Sequence, residues 1–188
     1  IGSKNSNEEA LINFLSSIQC DELILAGDII DFIKIPSFTE HSHALLKIVG
    51  KFNKKIVYIV GNHDISFRSF VGKQVFGVVF VDAYEFIDGK RKYRVEHGDK
   101  YEGGIVHRRF LMNIISVVQD YFERWLNIDL HYWLRKLPTR KRRLIRIWDI
   151  ITWNDDADVF IMGHIHTPEV LIWVNEQEVI KTYVNTGD

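Results

Sequence analysis

The chain has 188 residues, of which 46% are hydrophobic and 26% are charged, and this size and composition are typical of one globular domain with a substantial core. Its formal net charge of −1 excludes a global electrostatic attraction to nucleic acid or to an anionic membrane, so such an attraction would need a local patch. The single cysteine, Cys20, excludes a disulfide within the chain, and no apolar run reaches the roughly 18 residues needed to cross a bilayer.

The first third of the chain predicts helices alternating with strands. Ser6 followed by Glu9 has capping-box spacing, and the apolar residues that follow recur at helical intervals, which predicts a helix over about 7–19. The runs "ELILA" at 22–26 and "KIVYIV" at 55–60 are typical of strands buried on both faces. Because "HSHALLKIVGKF" between them has a helical pattern, the order predicts a parallel pair of strands joined by a crossover.

The remaining segments predict two hairpins and an insertion. "YEFIDGKRKYRVEHGD" at 84–99 predicts a hairpin that turns at Asp88-Gly89. Residues from about 103 to 153 have helical periodicity, several aromatic residues and the basic run "RKLPTRKRR", and they predict a helical cap inserted in a single α/β domain over 1–188. After it, "DVFIM" at 158–162 predicts a strand, and "EVLIWVNEQEVIKTYVN" predicts a hairpin that turns near Asn175 and Glu176.

Polar residues directly follow four of the predicted strands. Each alone is compatible with an ordinary turn or a helix cap, but ligands gather beyond the carboxyl ends of parallel strands, so four such ends together predict a shared site. Nitrogen from imidazole with oxygen from carboxylate and amide suits manganese, iron or zinc, and the lack of sulfur favours a catalytic over a structural site. The residues are Asp28, Asp31, Asn62, His63, Asp64, His97, Asp99, His164 and His166.

The ordered motifs GDIID, GNHD, HGD and GHIH resemble those of the calcineurin-like metallophosphoesterase superfamily over nearly the whole chain. The resemblance implies a four-layer α/β/β/α sandwich with a helical cap and a site for two divalent ions, manganese first, with iron or zinc as alternatives. It implies that Asp28 bridges both ions. It also implies that His63 is the catalytic histidine and that Asp31 orients it. The further ligands that it implies are Asn62, His97 and His164 for one ion and His166 for the other.

One family motif, D-x-H, is expected immediately before Ile1, because "IGS" resembles the residues that follow that motif in the family. The final "YVNTGD" resembles a strand that continues further in the family. We therefore expect the chain to be truncated at both ends. A protein that began at Ile1 would lack most ligands of the second metal.

The implied reaction is hydrolysis of a phosphodiester or pyrophosphate bond by a metal-activated hydroxide, with His63 on the side of the leaving group. Residues 105–148 carry ten basic and three acidic residues among many apolar ones, which suits either a lipid-linked phosphate with peripheral membrane contact or a solvated face over buried apolar residues. We expect the protein to be cytoplasmic.

The motif "HRRF" after HGD is similar to the UDP-2,3-diacylglucosamine pyrophosphatase-related branch of the superfamily and implies that Arg108 and Arg109 bind substrate. His63 departs from that branch, whose members often have arginine at this position. A nucleic-acid or nucleotide phosphodiesterase is an alternative, because a basic run with tryptophan and tyrosine could bind a phosphate backbone and stack bases. A non-catalytic scaffold with the same fold is a third.

Overall fold

The computed structural model describes residues 7–30, 43, 49–50, 52, 54–101, 118, 121, 148, 156–165, 167–174, 176 and 178–187. The elements whose full bounds lie within these residues are one α-helix, two short 3₁₀ helices and nine strands. The helices are α1 (Glu8–Ser17) and the 3₁₀ turns Ile65–Phe70 and Asp99–Tyr101. The strands are β1 (Glu22–Leu25), β2 (Lys55–Ile59), β3 (Gln74–Val75), β4 (Val78–Val81), β5 (Ala83–Asp88), β6 (Arg91–Glu96), β7 (Val159–Met162), β8 (Glu169–Val174) and β9 (Ile180–Asn185).

The strands form two sheets. The first sheet has the order β1-β2-β4-β3, in which β1, β2 and β4 are parallel and β3 is antiparallel to β4. The second sheet has the order β5-β6-β7-β9-β8, in which β6, β7 and β9 are parallel and the outer strands β5 and β8 are antiparallel to their neighbours. The parallel pairing of β1 with β2 confirms the prediction from their buried apolar runs.

Alternation of side chains along the strands divides the core into three layers. On β2, Ile56 and Tyr58 pack with Leu15 of α1 on the outer face of the first sheet. Val57 and Ile59 point the other way and pack between the two sheets with β6. On β7, Phe160 faces a third layer on the outer side of the second sheet. Apolar clusters thus lie between the two sheets and on the outer face of each, and the α/β fold class with two sheets is confirmed.

The N-terminal end of α1 shows how the local prediction differs from the structure. Asn7 caps the helix, and its side-chain oxygen accepts a hydrogen bond from the backbone nitrogen of Ala10 at 3.1 Å. The predicted cap, Ser6, is therefore one residue too early, because the Asn7 side chain satisfies one of the free amides of the first turn. Cys20 packs against the outer core of the first sheet, as its apolar context indicates.

Both predicted hairpins are present, and one strand pair was missed. In the first hairpin Asp88 pairs with Arg91, so the loop residues are Gly89 and Lys90 and the turn lies one residue later than predicted. The second hairpin pairs Val174 with Ile180 and turns in the predicted region. The missed pair is β3 with β4, over residues 74–81.

The predicted cap over about 103–153 lies outside the described residues except for Val118, Tyr121 and Trp148, each of which is helical. Trp148 packs against the outer core of the second sheet. Within the described part of the chain, no helix has both the length and the hydropathy to cross a membrane.

Candidate metal centre

The turns that follow β1, β2, β6 and β7 meet at one end of the sandwich. Each of these strands is parallel to a neighbour in its sheet, so their carboxyl ends lie on the same side of the molecule. The first sheet supplies Asp28 and Asn62, and the second supplies His97 and His164. The four residues, up to 136 positions apart in sequence, reach one point.

The Nε2 atom of His97 lies at the centre of this group. It is 3.0 Å from Oδ2 of Asp28, 3.1 Å from Oδ1 of Asn62 and 3.1 Å from Nδ1 of His164. Candidate ligand atoms of Asp28, His97 and His164 all lie within 4.8 Å of one another. His97 is 3% exposed, so little water reaches its ring.

The chemistry of these four atoms fits a divalent cation. Nδ1 of His97 lies 3.0 Å from the carbonyl oxygen of Ala26, which can only accept, so Nδ1 carries a hydrogen and neutral His97 has its lone pair at Nε2. One N–H at Nε2 could not serve three acceptors with good geometry. A cation would instead use the lone pairs of all four residues, two through oxygen and two through nitrogen.

Asp28 and His97 strongly shift each other's pKa values. Burial raises the pKa of Asp28, but the hydrogen bond and charge of His97 outweigh it and lower the pKa to about 2. Burial lowers the pKa of His97, but the Asp28 carboxylate outweighs it and raises the pKa to about 9. Without a cation, Asp28 and His97 therefore stabilise each other as an ion pair, and a cation bound at Nε2 would take the place of that proton.

Two glycines are required by the close packing of this site. Gly27 has φ +87, and a Cβ there would collide with the His97 ring. A Cβ at Gly61 would collide with the Asp28 carboxylate and lie 2.8 Å from the Asp28 nitrogen. Asp28 itself has φ 56, a left-handed conformation that is costly for a residue with a side chain. The Gly-Asp and Gly-Asn pairs are therefore steric requirements of the site.

His63 is bound to the same centre through its backbone. Its N–H donates to Oδ1 of Asp28 at 2.8 Å, and the charge of its ring lowers the pKa of Asp28. Both oxygens of Asp28 are thus engaged, one by His63 and one by His97. Beside the candidate metal-ligand atoms, this arrangement provides an imidazole that could exchange a proton with a reacting group.

The structure brings together five of the predicted site residues, namely Asp28, Asn62, His63, His97 and His164. Asp31, His166, Arg108 and Arg109 lie outside the described residues. Tyr58 and Asp64 form a buried hydrogen-bonded pair below the site. The sequence assigned no function to Tyr58, and it indicated Asp64 only as one of the polar residues that follow β2. Burial, followed by the charge of Asp28, raises the pKa of Asp64 to about 6. A tyrosine in an otherwise aliphatic strand was the signal that could have revealed the pair.

The chain matches the calcineurin-like phosphoesterase family over residues 2–168, and it belongs to that family. No curated protein matches it. The family assignment rests on most of the chain and agrees with the two-sheet architecture and with the order of the turns that carry the site.

Solved structures similar to this chain have low sequence identity to it. A protein of unknown function, AQ665, from Aquifex aeolicus is 14% identical, with 99% of this chain and 78% of that chain covered and a TM-score of 0.48. Vacuolar Protein Sorting 29 from Cryptosporidium parvum is 15% identical, covering 99% and 67%, with a TM-score of 0.45. Phosphopantetheinyl hydrolase from Mycobacterium tuberculosis is 13% identical, covering 92% and 82%, with a TM-score of 0.39.

Proposed function

We propose that this chain is a dinuclear metal-dependent phosphoesterase that hydrolyses a phosphodiester or pyrophosphate bond. The observation that carries the proposal is the convergence of Asp28, Asn62 and His164 on Nε2 of His97, within a phosphoesterase-family chain. The same convergence favours an enzyme over a non-catalytic scaffold, because a scaffold has no use for four polar groups gathered around one buried atom.

The residues divide the work of the reaction between them. Bound divalent cations, manganese first with iron or zinc as alternatives, lower the pKa of water and neutralise charge on phosphoryl oxygens. Asp28, Asn62, His97 and His164 would hold one cation, and Asp28 with His166 would hold the second. His63 would donate a proton to the departing oxygen, and Asp31 would fix the tautomer of His63.

Metal content and activity together test these roles. Asp28→Asn removes the ionised ligand and should lose both bound manganese and activity. His63→Ala should keep the metal and lower kcat at least about a hundredfold, which is the usual contribution of a general acid. Inductively coupled plasma mass spectrometry and hydrolysis of bis-p-nitrophenyl phosphate measure the two properties.

Asp82→Asn is the matched control, because Asp82 is exposed and forms a surface ion pair with Arg68 at 3.4 Å. It should leave metal content and activity unchanged. Equal loss of metal in Asp28→Asn and His63→Ala would refute the separate roles. Full activity in both variants would refute the catalytic roles of Asp28 and His63. No activity in the unaltered chain with bound manganese would refute the phosphoesterase proposal and leave the scaffold.

For the substrate we propose a lipid-linked phosphate such as UDP-2,3-diacylglucosamine, bound in part by Arg108 and Arg109 and delivered by peripheral membrane contact. The support is the excess of basic over acidic residues among apolar ones in residues 105–148 together with "HRRF". Turnover in manganese should then be higher with UDP-2,3-diacylglucosamine than with single-stranded DNA. The reverse order, with binding that weakens steeply in salt, would favour the nucleic-acid phosphodiesterase.

A further inference from the structure

The hydroxyl group of Tyr58 lies below the site, between the two turns that the first sheet contributes. It donates a hydrogen bond to Oδ2 of Asp64 at 2.5 Å, and the backbone N–H of Ile29 is hydrogen-bonded to its oxygen. Ile29 directly follows Asp28, and Asp64 closes the turn that follows β2. One phenolic oxygen therefore connects both turns.

Asp64 fixes the backbone of the turn that carries Asn62 and His63. Its side chain is fully buried, and its Oδ1 accepts from the backbone nitrogen of Gly61 at 2.6 Å. This bond spans the two residues that face the site. A carboxyl group without access to water needs partners for both oxygens, and Tyr58 supplies the second.

The ring of Tyr58 is itself held in place. It is 6% exposed and packs edge-on against Phe67 with centroids 5.4 Å apart, and against Phe80 at 5.3 Å. Tyr58 lies in β2, which pairs with strands on both sides. Phenylalanine would fill the same space, so the specific contribution of tyrosine at this position is its two hydrogen bonds.

The backbone of Asp28 is the part of the site that most needs the hydrogen bonds of Tyr58. Its left-handed backbone, φ 56, is unfavourable on its own and persists where surrounding contacts fix it. The bond between Ile29 N–H and Tyr58 acts on the adjacent peptide. The position of the Asp28 carboxylate thus depends on Tyr58, which is not itself one of the four candidate metal ligands.

We propose that Tyr58 is a positioning residue, which acts through Ile29 and Asp64 to hold the turns of Asp28 and of Asn62 and His63 in the geometry that binds a divalent cation. The inference rests on the proposed function because it requires that the site binds a divalent cation. It does not depend on which substrate is hydrolysed.

Tyr58→Phe tests the proposal because it removes one oxygen and keeps the ring. Affinity for Mn²⁺, measured by calorimetric titration, should fall about tenfold, as for other groups that orient metal ligands. Amide hydrogen exchange of Gly61 and Ile29 should become faster, whereas that of Val57 in β2 should not change. Tyr84→Phe is the matched control, because it loses a hydroxyl bonded to Lys55 and should change neither measurement.

Wild-type Mn²⁺ affinity in Tyr58→Phe would overturn the proposal, even if the melting temperature fell, because the tyrosine would then serve stability alone. An equal loss of affinity in Tyr84→Phe would also overturn it. If the unaltered chain bound no Mn²⁺, the proposed function would fail. Unchanged exchange of Gly61 and Ile29 would in that case overturn the positioning role as well, whereas faster exchange would support it.

Discussion

At the scale of single residues, the chemistry of the site depends on shared atoms. Each oxygen of Asp28 has a different partner, and Nε2 of His97 has three neighbours from three other turns. A displacement of any one turn therefore changes several distances at once. Substitutions that only crowd the site should consequently affect metal binding as strongly as loss of a ligand.

Gly61→Ala makes this testable. The new methyl group would collide with the Asp28 carboxylate, so we expect unfolding free energy to fall by about 1–3 kcal/mol, the usual cost of overpacking, and Mn²⁺ affinity to fall with it. Gly50→Ala is the control, since its Cβ would meet no atom of the described residues within 4 Å and the residue is helical. It should be neutral or slightly stabilising. Chemical denaturation and metal titration check both, and equal effects would contradict the steric argument.

The ligand-type residues were accessible to sequence reasoning, but their supports were not. Asp28, Asn62, His97 and His164 stand directly after apolar runs, and parallel strands bring such positions together. Tyr58 lies inside a buried run, where a pattern of apolar residues gives it no role beyond packing. Its hydrogen bonds to Asp64 and Ile29 depend on the conformation of two turns that no local pattern specifies.

At the scale of elements, the sequence predicts a hairpin where the turn contains residues typical of hairpin turns. Asp88-Gly89 is a strong hairpin signal, and β5 with β6 follows it. The pair of β3 and β4 has a turn of Phe76 and Gly77, both with positive φ, as a type I′ turn requires. The first of these positions normally holds asparagine, aspartate or glycine, so the phenylalanine concealed the turn.

Phe76→Asn should accordingly stabilise the protein. The side chain is 95% exposed and contributes little packing, whereas asparagine tolerates φ 50 far better. We expect a gain of about 0.5–1 kcal/mol in unfolding free energy, measured by denaturant titration. Phe14→Asn is the comparison, because Phe14 is also exposed but lies in α1, where phenylalanine and asparagine have similar helix propensities, so no gain in stability is expected. A loss of stability in Phe76→Asn would contradict this account.

At the scale of the whole molecule, the four candidate metal ligands join the two sheets. Asp28 and Asn62 come from the first sheet, and His97 and His164 come from the second. A cation bound by all four would add a crosslink across the sandwich that the unfolded chain lacks. Metal should therefore stabilise the entire fold and not one turn alone.

At a Mn²⁺ concentration a hundred times the dissociation constant, the expected stabilisation is about 2.7 kcal/mol. For a chain of this size that corresponds to a rise in melting temperature of roughly 5–10 °C, which differential scanning calorimetry would detect. Asp28→Asn should show no such rise, and EDTA should reverse it in the unaltered chain. A melting temperature independent of Mn²⁺ would contradict the metal site itself.

The division into two sheets could not be derived from strand patterns alone. Val81 ends β4 and Ala83 begins β5, so only Asp82 separates strands that belong to different sheets. Adjacent strands usually pair, and here packing between distant segments decides otherwise. The layered architecture was expected because the motifs resemble a family that has it, and the three core clusters then gave it a physical basis.

The contribution of both sheets to one site has a kinetic consequence. During synthesis, Asp28 and Asn62 leave the ribosome before β6, and His164 emerges last of the four. Full coordination can form only after β7 has joined the second sheet. Metal should thus act mainly on the unfolding rate and little on the folding rate, as expected of contacts that are absent from the transition state. Once loaded, the sandwich would open slowly and resist proteolysis, however fast its sheets assembled.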